Sequence, residues 1–224
     1  HIVEFRNGES GQHVLHIRTL TELLLRYLSN KDETCQLSRS EIALICTASA
    51  LHDIGKISIP GEILNKPGRL TKEEFDTMKT HTLVGAEMLK ALPMHQEHPL
   101  VKTAYEICRW HHERYDGRGY PDGLKGDEIP ISAQVVALAD VYDALTSERV
   151  YKKAFPHDVA VNMILNGECG QFNPLLMECL KEMGGILEEE LHTDSRARTN
   201  QRQIQNIAEE MLRHEELSAS ERTL

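Results

Sequence analysis

The sequence predicts an all-α protein, a bundle of helices. Three observations carry this. Aromatics are only 5% of a chain that is 40% hydrophobic, so the core must be Leu, Ile, Val, Met and Ala, which are mostly good helix formers. Apolar residues recur every three to four positions in successive segments. Helix starts carry capping residues, and strand-like patterns do not extend beyond isolated short stretches. The 224 residues suffice for one large domain, or one domain with an appendage.

Taken in order, residues 1–29 read as helix, with Val14, Ile17, Leu20, Leu24 and Leu28 on one stripe. Glu9 and His13 are four apart and share a face, and His16 follows one turn later. Residues 30–40 are a polar connection in which Ser38 or Ser40 can cap the next helix. The run Ile42 to Leu51 is apolar, mostly small and uncharged. It predicts a buried helix ending at Gly55, where a left-handed cap is easiest. His52 and Asp53 stand at that end, about a quarter turn apart in direction. They can grip two sides of one metal, or Asp53 can bridge two. Residues 57–70 read as an ordered loop punctuated by Pro60 and Pro67.

Thr71-Lys-Glu-Glu74 is a capping box opening a helix that contains Phe75, Met78, His81, Leu83, Gly85 and Met88. Pro99 suits the first turn of another helix, which carries Ala104, Ile107, Cys108 and Trp110 and ends at His111-His112. Gly117, Gly119, Pro121 and Gly123 then impose a tight, non-helical loop. Ser132 is the expected cap of an apolar helix bearing Asp140 and Asp143 on one face. A carboxylate there is costly unless paired or metal-bound, which makes Asp140 a ligand candidate. Arg149 and Lys152 follow directly. Asp158 is the expected cap of a further helix, and Asn173-Pro174 starts the last, expected to end at Gly184-Gly185. From Ile186 the composition turns to Glu, Arg and Gln, with Ile204, Ile207 and Met211 at coiled-coil spacing. Two regions are therefore expected: a domain over 1–185, and a helical linker or signalling helix over 186–224.

The net charge of −10 argues against general nucleic-acid binding, since no basic stripe is present. Five scattered cysteines without a C-x-x-C suggest neither a zinc site nor a disulfide framework, so a reducing, cytoplasmic setting is expected. No apolar run is long enough to span a membrane and no signal peptide is recognisable. The chain reads as a fragment of a longer protein, because its first residues already look like mid-helix sequence.

Glu9, His13, His52, Asp53, His81, His111, His112 and Asp140 remain to be explained together. Each has an ordinary explanation on its own: a surface pair, a solvated helix end, a structural mid-helix histidine, a dipole complement. On several helices at once, they suit a polynuclear site of the kind built inside helical bundles, with Fe, Mn or Zn as candidates.

The blocks His52-Asp53-Ile54-Gly55-Lys56, Ile63 to Thr71, His111-His112-Glu113, Asp116 to Pro121 and Ala139-Asp140-Val-Tyr-Asp143 resemble the HD-GYP family, the cyclic di-GMP phosphodiesterases of the HD superfamily. The likeness runs from about Glu9 to about Leu180. It implies an HD-type helical bundle around a buried site of two or three divalent ions, Fe or Mn foremost. His52, Asp53, His81, His111, His112 and Asp140 would be ligands, with His13 joining them and Glu9 serving a third metal. Asp53 and Lys56 would be catalytic. Arg149 and Lys152 would meet the substrate phosphate, with Tyr120 and Asp143 also in the substrate pocket. Gln134 and Asn173 depart from the family, where Arg and Asp are common. The implied activity is hydrolysis of cyclic di-GMP to linear pGpG, GMP or both in bacterial signalling. Alternatives are another cyclic dinucleotide such as cyclic GMP-AMP, or a silent nucleotide-sensing or docking module. The implied partners are the cyclic dinucleotide, flanking sensor, receiver or GGDEF-type domains, and a second copy in a homodimer.

Overall fold

Most helices begin at a side-chain cap or directly after a proline. In the computed structural model, residues 11–31, 36–92, 97–148, 153–187 and 189–190 are described. Helix α1 spans Gly11–Lys31. Helix α2 spans Arg39–Ser49, and Ser38 closes a capping box with Glu41. After a short α3, Gly61–Leu64, helix α4 runs Lys72–Lys90 behind the Thr71–Glu74 box. Helix α5 is Pro99–Trp110, with Pro99 in its first turn. Helix α6 is Ile131–Thr146 and α7 is His157–Leu165. A last helix, α8, occupies residues 174–187. No strand occurs among the described residues, so the fold is all-α as expected.

Several expectations need correction. Ser132 is not the cap of α6. Pro130 precedes that helix, and the Ser132 hydroxyl donates to Glu106 across to α5. Pro156, not Asp158, stands at the start of α7. Two prolines with fixed φ thus replace two side-chain caps. Gly184 and Gly185 do not end α8, which continues to residue 187 with Gly184 at a φ of +37°. Part of the expected 57–70 loop is helical, as a 3₁₀ segment Ile54–Ser58 and α3.

The largest correction concerns Gly55. Helix α2 stops at Ser49, and residues 51–53 form turns leading into the 3₁₀ segment. Gly55 is not among the residues of positive φ, so it is no left-handed cap. It is needed for closeness. A Cβ there would collide with the carbonyl oxygen of His81 and lie 2.6 Å from the amide nitrogen of Gly85. The 3₁₀ segment therefore lies directly on α4, backbone against backbone.

Core packing follows from the apolar stripes. Ile17, Leu20, Leu24, Leu25 and Leu28 of α1 are fully buried, each contributing about 1.5–3 kcal/mol of burial. Helix α6 is apolar on nearly every side, which requires cover on several faces. It receives that cover from α1, α5 and α7, while α2 packs on α1 and α5, and α4 on α5. No helix among the described residues is long and apolar enough to cross a membrane.

Candidate metal centre

The packing of α1, α2, α4, α5 and α6 brings most of the sequence-derived ligands together. His13, Asp53, His81 and His52 come from α1, the turn after α2, and α4. His111 and His112 follow α5. Two groups have ligand atoms within 4.8 Å of one another: Asp53 with His81, His111 and His112, and Asp53 with His13 and His52. Asp53 belongs to both. Its Oδ1 lies 3.3 Å from His81 Nε2 and 3.8 Å from His111 Nε2. Its Oδ2 lies 3.1 Å from His52 Nε2 and 2.7 Å from Lys56 Nζ. One carboxylate thus turns one oxygen to each group of histidines.

The backbone sets which nitrogen of each ring faces inward. His52 Nδ1 contacts the Ser49 carbonyl at 2.8 Å, His81 Nδ1 that of Met78 at 2.7 Å, and His111 Nδ1 that of Ile107 at 2.9 Å. Each carbonyl lies three or four residues back and can only accept, so Nδ1 donates. In the neutral ring this leaves Nε2 as a lone-pair donor toward the centre. Cys108 braces the same turn, its Sγ 2.9 Å from the Leu51 carbonyl.

The residues present fit divalent cations. His81 Nε2, His111 Nε2 and Asp53 Oδ1 are buried and meet no hydrogen-bond partner among the described residues. Leaving such atoms bare is costly, and imidazole nitrogens with a carboxylate are ordinary first-row metal donors. Protonation states agree. Burial drives His111 and His112 well below the usual histidine range, reinforced by neighbouring histidines, so both are neutral and ready to ligate. Burial also lowers His81. His52 differs: burial opposes its charge, but the Asp53 and Asp140 carboxylates hold its pKa up at about 9. Burial disfavours an ionised Asp53, yet Lys56 and His52 keep its carboxyl well below 3.8.

Asp140 stands on the His13 side, its Oδ1 3.8 Å from His13 Nε2, outside both close groups. Asp143, expected in the substrate pocket, stands behind His13 and His16. Its side chain is 2% exposed. Its Oδ2 meets His13 Nδ1 at 2.7 Å and its Oδ1 meets His16 Nδ1 at 2.7 Å. Ser147 donates to Oδ1 as well. Both of its oxygens are taken up by hydrogen bonds within the protein. It orients His13, as carboxylates behind metal-binding histidines commonly do. His16, the Nδ1-bonding carbonyls and Cys108 are the parts that sequence reasoning missed. Only the three-residue spacing of His13 and His16 hinted at any of them.

Tyr120 lies over the centre, its ring stacked on His112 at 4.8 Å and 28°. Glu113 holds its loop in place. Glu113 is 2% exposed, and its Oε1 accepts from the amides of Asp122 and Gly123. Asp122 in turn accepts the Arg109 fork at 2.7 and 2.9 Å. Any side chain at Gly119 would strike the backbone of Glu113 and Arg114. The two family departures prove to be neighbours: Asn173 Nδ2 donates to Gln134 Oε1 at 2.8 Å, and Gln134 Nε2 to the Ile129 carbonyl. Glu9, Arg149 and Lys152 lie outside the described residues.

The HD domain family model matches residues 12–174, from the His13 helix through Pro174. The chain belongs to the HD domain family. The matched span includes the His52-Asp53 pair, whose aspartate is the shared carboxylate described above. Over 200 residues this HD domain is 41% identical to a "Probable cyclic di-GMP phosphodiesterase" of Vibrio cholerae, covering 86% of the chain and 43% of that protein. It is 38% identical over 180 residues to a "3'3'-cGAMP-specific phosphodiesterase 2" of the same organism, covering 80% of the chain and 32% of that protein. The chain thus spans less than half the length of either relative. A solved cyclic GMP-AMP-specific phosphodiesterase of V. cholerae shares the fold at a TM-score of 0.58 and 18% identity, covering 85% of this chain and 49% of that one.

Proposed function

We propose that this HD domain is a metal-dependent phosphodiesterase that hydrolyses cyclic di-GMP to linear pGpG, GMP or both, in bacterial second-messenger signalling. The observation that carries the reading is Asp53, shared by two groups of histidines, with the Nε2 atoms of His52, His81 and His111 at 3.1, 3.3 and 3.8 Å from its oxygens. A cyclic dinucleotide is a phosphodiester, and paired cation positions suit its hydrolysis. His13, His52, His81, His111 and His112, with Asp53, would hold the cations. Fe or Mn is the assignment, with Asp140 as a further ligand of the central set and Glu9 serving a third position. Bound there, divalent cations supply charge neutralisation and acidify coordinated water.

The chain's own residues divide the remaining work. The Ser49, Met78 and Ile107 carbonyls and Asp143 hold the imidazoles in the ligating tautomer. Lys56, with Nζ 2.7 Å from Asp53 Oδ2, donates to a phosphate oxygen or to the departing ribose oxygen. Arg149 and Lys152 bind phosphate, Arg149 through its bidentate fork. Residues 186–224 serve as a linker or signalling helix to flanking domains, in a cytoplasmic and homodimeric protein. The test is purified protein loaded with Fe or Mn and assayed on cyclic di-GMP, beside Asp53→Asn. Turnover by wild type and its loss together with metal in the variant support the reading. Metal-bound protein without turnover overturns it in favour of a sensing module. The names of several relatives favour cyclic GMP-AMP as the second substrate to assay.

A further inference from the structure

A path of aromatic rings leads from the buried histidines to the surface. His112 stacks on Tyr120, and Tyr120 meets Phe75 edge-on, with centroids 6.2 Å apart and planes at 84°. Phe75 belongs to the first turn of α4, the helix that also supplies His81. Its side chain is 45% exposed. A single exposed aromatic is ordinary on a protein surface. This one ends a run of rings that begins on a metal-binding residue. A cation accompanies it: Lys79 Nζ lies 5.4 Å from the Phe75 centroid and pairs with Asp76 at 2.7 Å. The rim of the site therefore offers a half-exposed aromatic ring with the Lys79 ammonium over one of its faces.

We propose that Phe75 is the stacking platform for one purine base of the dinucleotide, and that Lys79 reads that base. The inference rests on the proposed phosphodiesterase reading, since a substrate phosphate at the histidines places its base outward along this path. Stacking on an aromatic face accepts any base and provides affinity. Discrimination comes from the edge. Guanine presents O6 and N7 as acceptors to an ammonium, whereas adenine offers an amino donor at the corresponding position. Phe75 then serves cyclic di-GMP and cyclic GMP-AMP alike, and Lys79 favours a guanine over it.

Phe75 is exposed, so its replacement leaves the core intact. In metal-loaded protein, Phe75→Ala should raise the KM for cyclic di-GMP about tenfold with kcat nearly unchanged, the pattern of lost uniform binding. Phe75→Tyr should restore it. Hydrolysis of methyl 4-nitrophenyl phosphate, a diester without a purine, should be the same in all three proteins. Phe75→Trp adds a reporter: GMP should quench its emission beyond that seen in wild type, and ribose 5-phosphate should not. Lys79→Ala should lower the preference for cyclic di-GMP over cyclic di-AMP. Wild-type turnover with an unchanged KM in Phe75→Ala overturns the platform and leaves the proposed reaction standing. Wild-type protein that cleaves no cyclic dinucleotide overturns the reaction instead, and GMP quenching of Phe75→Trp then decides the platform by itself.

Discussion

Replacing Asp143 by Asn tests the inner logic of the site without touching a ligand. The carboxylate accepts from His13 and His16 at 2.7 Å each and from Ser147. These bonds hold its ionised form against burial, well below the usual carboxylate range. An amide has one acceptor oxygen and one donor NH₂. If the NH₂ faces His13, Nδ1 must accept and the ring proton moves to Nε2, the atom that lies 3.4 Å from His52 Nε2. His13 then cannot ligate. If the oxygen faces His13, a neutral acceptor replaces a charged one, and charge-assisted bonds are roughly twice as strong as neutral ones. Removing such an outer partner typically costs 10–100-fold in metal affinity, about 1.4–2.7 kcal/mol. Competition against a chelator of known affinity, with circular dichroism to confirm the fold, measures it. Folded Asp143→Asn protein with wild-type metal affinity and stoichiometry would refute the orienting role.

Three further outcomes are expected. His52, with a pKa held at about 9, is charged at neutral pH and must shed its proton to ligate, so metal uptake releases protons and apparent affinity climbs as pH rises toward 9. Calorimetry in buffers of different ionisation enthalpy reads the count, and uptake without release at pH 7 contradicts it. Gly55→Ala forces a methyl into the His81 carbonyl and should cost about 3 kcal/mol or more, seen as a large drop in the thermal midpoint; a shift within error means the 3₁₀ segment does not lie against α4. Gln134 and Asn173, hydrogen-bonded to each other, should show a coupling of about 1 kcal/mol in a double-mutant cycle by urea unfolding, whereas independent sites add to within about 0.3–0.5 kcal/mol.

Helix starts were legible because their signals are local. Ser38 with Glu41 and Thr71 with Glu74 close their boxes within four residues. Pro130 and Pro156 were overlooked in favour of Ser132 and Asp158, since a cap inferred by residue type competes with any rigid residue nearby. The residues that the packing gathers around Asp53 were legible for another reason: adjacent histidines at a helix end and a His-Asp pair after an apolar run have few structural uses.

The sequence by itself determined the all-α class, the longer helices and the imidazoles that gather around Asp53, because period, capping boxes and donor chemistry are properties of short segments. Only the tertiary structure decided what Gly55, Asp143 and the histidine nitrogens do. Gly55 is required by a backbone crossing with α4, not by its own dihedral angles. Asp143 orients His13 across a separation of 130 residues, a contact created by α1 packing on α6. Which nitrogen of each ring points inward depends on the direction of one carbonyl or carboxylate behind it, and that direction exists only once the helices have packed.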